Sequence, residues 1–407
     1  MAPGDDRIRR YYVFRAVTNF SLWIPFWTLW AYENLQDYFL LTLVDVGFWI
    51  TMIVFQIPAG LLGDKYGRKT VLFAGELLWA AGILAFGLSS EVWSLLAANV
   101  VWATGVCFIV SGESPFVYDT LLELNRQREF IPVMAKGWAV ASVMNAAACV
   151  VGGMMVEYTQ PARLDLTLII SSFISMVGSM TVLTLKEPKV DRSRMKSYTT
   201  HLRDGFRRVL TTKAILILIM FQIVIEIAIY VMAVFRSVYM NEDLRLGYLE
   251  IGAFIGAFTL FGGFAASQAG KIEGALGEKR SLLFLYLTVL GSFAVVFLVS
   301  SPIAILVQFP IYAVSYLQGP IISGYINKRV DSEHRSTIVA IASLMFTAFL
   351  TAVELPAGLV ANEVGTRPTM MLLALAITPV ALILLYYWGK EVESSKRIRK
   401  LRALRRF

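Results

Sequence analysis

GLLGDKYGRKTVL, residues 60–72, decides how the rest of the chain is read. Glycines at 60, 63 and 67 and the charges of Asp64, Lys65, Arg68 and Lys69 crowd into one short stretch. Long apolar runs flank it on both sides. A short charged turn between two greasy segments suits a chain that leaves a bilayer and at once re-enters it. That reading depends on what the apolar runs are.

The chain has 407 residues, 57% hydrophobic and 16% charged, with mean hydropathy +0.64. A water-soluble domain carries about 25% charged residues, so this chain has too little polar surface for water. Twelve apolar stretches reach the roughly 20 residues that cross a hydrocarbon core as helix. They are 11–36, 39–63, 70–89, 93–121, 130–157, 164–185, 214–240, 248–272, 281–300, 302–327, 336–361 and 367–389. Helix is the element for these runs because no backbone group can go unpaired in lipid, and they are too long for barrel strands. The expectation is an all-α polytopic membrane protein with twelve transmembrane helices.

With both termini in the cytoplasm, 32 of the 37 Lys and Arg fall in inner segments. Arg163, Arg245 and Arg367 fall outside, and Arg15 and Arg236 lie within spans. Basic residues collect on the cytoplasmic side, so this orientation in the cell membrane is expected. The net charge of +8 then reports topology and contact with anionic membrane lipids, not nucleic acid. The first span is too long for a signal-peptide core and is expected to be retained. Cys107 and Cys149 fall in different spans and imply neither a disulfide nor a metal site. The sequence offers no phosphate-cradling loop, metal-ligand cluster or nucleophile constellation. An enzyme, a bound cofactor and transport driven by ATP hydrolysis on this chain are therefore not expected.

The polar stretch 186–213 divides the chain into a first six-span bundle (1–185), a cytoplasmic linker (186–213), a second bundle (214–389) and a basic tail (390–407). The halves look related. YDTLLELNRQR (118–128) and YINKRVDSEHR (325–335) each close an even-numbered span, with an Arg ten residues after the Tyr. VVGGMMVEY (150–158) and LPAGLVANEV (355–364) follow at matching depth. KIEGALGEKR (271–280) sets Gly277, Glu278 and Lys279 where the first half has Gly67, Arg68 and Lys69. Two six-span repeats about an axis along the membrane normal are a transporter plan, with the substrate site between the halves. HLRDGFRRVL (201–210) and SSKRIRKLRALRRF (394–407) set apolar faces against basic ones, as helices lying on anionic lipid do; the second reads equally as a solvated tail.

The 60–69 turn resembles the G-x-L-x-D-R-x-G-R-K loop between the second and third helices of the major facilitator superfamily. Gly60, Leu62, Asp64, Gly67, Arg68 and Lys69 fit, with Lys65 in place of Arg. Twelve spans, the long central loop, Glu187-Pro188 and the Asn327…Arg335 stretch carry the resemblance along the chain. It implies two pseudo-symmetric six-helix bundles, a monomer, and alternating access about a central small-molecule site. It also implies a gating latch of Gly60, Asp64, Gly67, Arg68 and Lys69. In that latch Asp64 accepts from amides at the start of span 11, and Arg68 pairs with Asp119. The Y-D-T-L of residues 118–121 resembles the close of a helix-4 motif in exporter-like branches. Two patterns depart: Val101 stands where proton-coupled exporters have the Arg of R-x-x-Q-G, and residues 148–153 keep only the last two glycines of G-P-x-x-G-G.

An ionisable group near mid-bilayer costs at least about 2.5 kcal/mol, so each needs a reason. Gln222, Glu226 and Tyr230 follow at i, i+4 and i+8 and form a polar stripe near the middle of span 7. Glu226 is the candidate proton-coupling and substrate-binding acid; the alternative is a structural carboxyl bonded to a neighbouring helix. Glu113 and Arg15 lie at similar depth on spans 4 and 1, as a second proton-coupling pair or as a structural one. Asp45 and Arg236, in the outer thirds of spans 2 and 7, are an outer-gate ion pair or two charges snorkelling to water. Glu76 and Glu354 read as structural. Asn19 and Trp23 of span 1 and Tyr312 and Tyr316 of span 10 are candidate substrate contacts, set in aromatic stripes that packing alone also explains. Beside Glu226 they suit an apolar, cationic solute.

These readings converge on a secondary active transporter that exports a small lipophilic organic solute in exchange for protons. Proton-coupled uptake of an organic metabolite and a non-transporting receptor of the same fold are the alternatives.

Overall fold

Runs of Leu, Ile, Val, Phe and Ala become helices wherever their backbone must satisfy itself, and the computed structural model shows this along the chain. It describes residues 5–189, 209, 211–330 and 335–404, and these form helices and connecting turns with no strand. The helices are α1 (Asp5–Thr18), α2 (Trp27–Leu35), α3 (Tyr38–Tyr66), α4 (Arg68–Gly87), α5 (Val92–Glu123), α6 (Phe130–Glu157) and α7 (Leu164–Leu183). After the linker come α8 (Lys213–Val238), α9 (Tyr248–Ser267), α10 (Ala269–Leu298), α11 (Gln308–Asn327), α12 (Arg335–Val364) and α13 (Thr366–Leu404).

Among the described residues, 11 helices are long and apolar enough to cross a membrane. The first expected span is different: it is split into α1 and α2 around residues 19–26. Pro25 lies in this break and offers no amide. The Leu22 N–H donates instead to Ser171 Oγ of α7 at 2.9 Å. Gly152 of α6 lets the Leu22 carbonyl approach where a Cβ would stand 2.6 Å away. Irregular backbone at membrane depth is tolerated when protein buries it, and Ser21, Leu22, Trp23 and Phe26 are all buried.

The helices pack as two units. Unit 1 holds residues 1–195 with 234–260 and 354–362, so it includes the end of α8, the first part of α9 and a short piece of α12. Its core stacks Tyr11 and Phe14 of α1 against Leu72, Ile109, Phe116, Leu121 and Val133. Unit 2 holds 196–233, 261–353 and 363–407. Leu282, Leu285, Val289 and Phe293 of α10 are buried in it, with Ile311 and Val314 of α11.

Gly67, between α3 and α4, has φ +100°, and Gly277 interrupts α10 with φ +72°. Only glycine adopts such angles freely. The internal repeat seen in sequence thus reappears as two equivalent backbone turns, one in each unit.

Candidate transport and gating sites

"Inner" and "outer" below follow the sense given by the basic residues. At the inner turn, Arg68 is buried and pairs with Asp64 one helical turn earlier. The start of α4 leaves amides without helical partners. Glu187 fills that need, accepting from the N–H of Arg68 at 2.8 Å and of Lys69 at 2.7 Å. A carboxylate is favoured there by the helix dipole. Gly67 makes room, since a Cβ would stand 3.0 Å from that carboxylate. Lys69 Nζ reaches the Leu183 carbonyl at 2.7 Å. Gly60 has open space around its Cβ position, and Asp119 lies half-buried on α5. In unit 2 the equivalent turn is tied differently: Arg329 donates to Glu278 at 2.8 Å and lies over the Trp388 ring.

Deeper in unit 1, the spacing of the chain brings Arg15 and Glu113 together. Arg15 Nη1 donates to Glu113 Oε2 at 3.1 Å, and the Tyr11 hydroxyl donates to Oε1 at 2.8 Å. Glu76 of α4 lies near enough to act electrostatically with both Arg15 and Glu113. The Arg15 guanidinium also stacks over Trp138 of α6 at 4.6 Å, and that indole is 58% exposed. Arg15 Nε and Nη2 are buried without partners. The cluster therefore holds one arginine with two carboxyls, all three side chains buried. Asn19 bonds back to the Arg15 carbonyl at 2.9 Å, and Trp23 is buried edge-on against Trp102 at 4.6 Å. Both lie in the break between α1 and α2.

In unit 2, the Glu226 carboxylate accepts from Gln222 Nε2 at 2.9 Å and from Gln318 Nε2 of α11 at 3.4 Å. Gln318 Oε1 is buried with no donor, so a protonated Glu226 has an acceptor close by. Gln222, Glu226 and Tyr230 form the partly accessible stripe on a helix whose other mid-span side chains are nearly all buried. Tyr230 meets Phe346 at 5.1 Å. Tyr312 and Tyr316 follow one turn apart on α11, with the Tyr316 ring against Gly262.

At the outer end of unit 1, two antiparallel helix pairs cross through small residues. Gly153 of α6 meets Tyr248 and Leu249, Cys149 meets Gly252, and Ala146 meets Gly256 of α9. Glu157, at the end of α6, accepts from the first amides of α9, Tyr248 at 2.8 Å and Leu249 at 3.3 Å. The second pair is α3 with the piece of α12 in this unit. The Tyr38 N–H donates to Asn362 Oδ1 at 2.7 Å, and Asn362 Nδ2 donates to Asp37 at 2.9 Å. Gly358 then packs on Thr42, and Asp45 faces Glu354. Asp37 caps α3 by accepting from Leu40. Burial pushes its carboxyl up, but the bonds from Asn362, Leu40 and Phe39 outweigh this and hold it below the usual range. Asp45 also accepts from Trp49 Nε1 at 2.9 Å. Arg236 lies half-buried on α8, next to Phe235, whose ring meets Tyr38 edge-on at 5.7 Å.

Comparison with known proteins gives this arrangement its family. A model described as Major Facilitator Superfamily matches residues 12–351. The chain belongs to the Major Facilitator Superfamily. It is 24% identical over 300 residues to Multidrug resistance protein 1 of Bacillus subtilis (strain 168), covering 70% of this chain and 72% of that one. Over 149 residues it is 28% identical to Multidrug resistance protein MdtM of Escherichia coli O157:H7, 36% of this chain and 35% of the relative. Its fold is similar to the crystal structure of a mutant of the nucleoside transporter NupG, with a TM-score of 0.80, 12% identity and coverage of 94% and 99%. A bacterial homologue of the human lysosomal transporter Spinster matches with a TM-score of 0.76, 12% identity and coverage of 97% and 98%. The protein is thus a multi-pass membrane transporter and not an enzyme.

For this superfamily member the sequence marked the inner turn, Arg15, Glu113 and Glu226, but missed their partners Tyr11, Trp138 and Gln318. Glu157 and Asn362, which tie helices at the outer end, also became visible only with the fold. Glu187 stood in the sequence beside Pro188, where the end of a span gave no sign that it caps another helix. The segment 201–210 falls almost wholly outside the described residues, and the side chains of 395–407 lie outside them too.

Proposed function

We propose that this protein exports a small lipophilic organic solute in exchange for protons, by alternating access, in the cell membrane with both termini cytoplasmic. The observation that carries the reading is Glu226, held near mid-span by two glutamines. Amide dipoles orient a carboxylate but do not neutralise it, and an isolated charge at that depth is costly. Either a proton or a cationic solute relieves the cost. Competition between the two is the elementary requirement for exchange. Similarity to Multidrug resistance protein 1 over 70% of the chain supports export of lipophilic solutes. Tyr230, Tyr312 and Tyr316 supply aromatic surface for such a solute, and the protein acts as a monomer.

The test is purified protein in liposomes under an imposed pH gradient. Glu226→Gln keeps the shape and mimics the protonated acid. It should bind or passively exchange solute but fail to concentrate it. Undiminished uphill transport by the variant removes Glu226 as the coupling acid and moves the assignment to Glu113.

Proton-coupled uptake is the second reading, favoured by Val101 and by the incomplete glycine pattern at 148–153. Solute moving with the proton gradient rather than against it would select it.

A further inference from the structure

We propose that Asp45 and Glu354 together bind one proton from the outer solution, and that this shared proton holds α3 and α12 closed at their outer ends. The site is built by register. Asn362 lies opposite Tyr38, Gly358 opposite Thr42 and Glu354 opposite Asp45, so the pair sits about two turns, roughly 10 Å, below the start of α3. Glu354 is fully buried and Asp45 nearly so. Trp49 satisfies one oxygen of Asp45, whereas both oxygens of Glu354 are buried without any donor. Two carboxylates cannot hydrogen-bond each other; with one proton between them they can. Like charges this close do not both stay ionised.

Few charged groups surround the pair among the described residues. α5, packed on this part of α3, carries no titratable side chain between Val92 and Gly112 apart from Cys107; its nearest polar group, Asn99, donates to the Val44 carbonyl. α8 brings Arg236, and the rim above brings Asp37, Glu33, Glu242 and Asp243. The charge that acts on Glu354 is that of Asp45. The pair is used by neither the Glu226 site nor the Arg15–Glu113 cluster.

Closing the outer end takes up the proton, and opening returns it to the same side. It therefore adds nothing to net coupling. It makes the gate sense external pH instead. The closed state binds one more proton than the open one, so raising the pH favours opening, by about tenfold in the closed-to-open ratio per pH unit across the titration.

Spin labels at exposed outer positions 90 and 363, in full-length protein in lipid nanodiscs, read the ratio as a distance distribution between pH 5 and 9. The wild type should open as pH rises, equally with and without sodium. Glu226→Gln should respond in the same way, which separates this site from the coupling acid. Asp45→Asn with Glu354→Gln, uncharged and nearly isosteric, should stay closed throughout. A wild-type ratio that ignores pH, one that follows sodium instead, or a double variant that still responds to pH overturns the proposal.

Discussion

Arg15 and Glu113 meet at 3.1 Å with both side chains buried, so neither charge can be removed alone without stranding the other. Truncating one partner of a buried pair typically costs about 3–5 kcal/mol, whereas replacing both by apolar groups is often neutral. Arg15→Leu and Glu113→Leu should each lower the melting temperature clearly, and the double variant should melt above either single one. Strictly additive losses would show that the contact carries no coupling. Tyr11→Phe removes one bond to the same carboxylate and should give a smaller loss.

Gly67 and Gly60 open and precede the same turn, yet the structure separates their roles. Gly67 has φ +100° and stands against the Glu187 carboxylate, while a Cβ on Gly60 meets nothing within 4 Å. A non-glycine residue in Gly67's backbone region costs on the order of 1–3 kcal/mol. Gly67→Ala should therefore destabilise and impair transport, and Gly60→Ala should leave melting unchanged. Equal behaviour of the two would mean that backbone conformation is not what the turn requires. Glu187→Ala uncaps α4 and should cost about 1 kcal/mol.

Asn362 ties the end of α12 to the start of α3 through Asp37 and Tyr38. Asn362→Ala should loosen the outer end and raise the open fraction. The pH dependence of this contact has a definite sign. Asp37 is held below its ordinary value of ~3.9. Its contribution is present above that value and lost only as pH falls through the lowered one. The Asp37–Asn362 contact should then stay constant between pH 5 and 9. A gate response within that window that vanishes in Asn362→Ala, but survives in Asp45→Asn with Glu354→Gln, would assign the sensing to the rim.

What the sequence reveals here depends on whether one dimension suffices. The inner turn is legible because charges and glycines between two apolar runs have few other uses, and its echo at Gly277 follows from spacing alone. Depth is legible too, since helical rise places Glu226 near mid-span without any fold. The break at 19–26 is not. Pro58, Pro115, Pro320, Pro356 and Pro379 all lie inside continuous helices, so Pro25 alone does not announce an interruption. Ser171, 149 positions away, accepts the amide that makes this one possible. Azimuth is equally hidden. Depth and sign of charge suggest Arg236 for Asp45, and only packing brings Glu354 to it.

The crossing of α3 with α12 gives the sharpest steric prediction. A Cβ on Gly358 would collide with Thr42 Oγ1 and stand 2.8 Å from the Tyr38 carbonyl and 2.9 Å from Phe39 Cα. Two of these three atoms are backbone, which cannot swing aside as a flexible side chain can. The helices must therefore separate, and the Asn362 and Glu354 contacts on either side of Gly358 would weaken together. Gly358→Ala should shift the outer-end distance distribution towards opening at every pH and reduce transport. Gly263→Ala, on α9 where a Cβ meets nothing within 4 Å, should do neither. Thr42→Ala removes the hydroxyl that Gly358 would strike, so Thr42→Ala with Gly358→Ala should recover part of the closed state. If Gly358→Ala alone closes and transports like the wild type, the outer ends do not depend on this crossing.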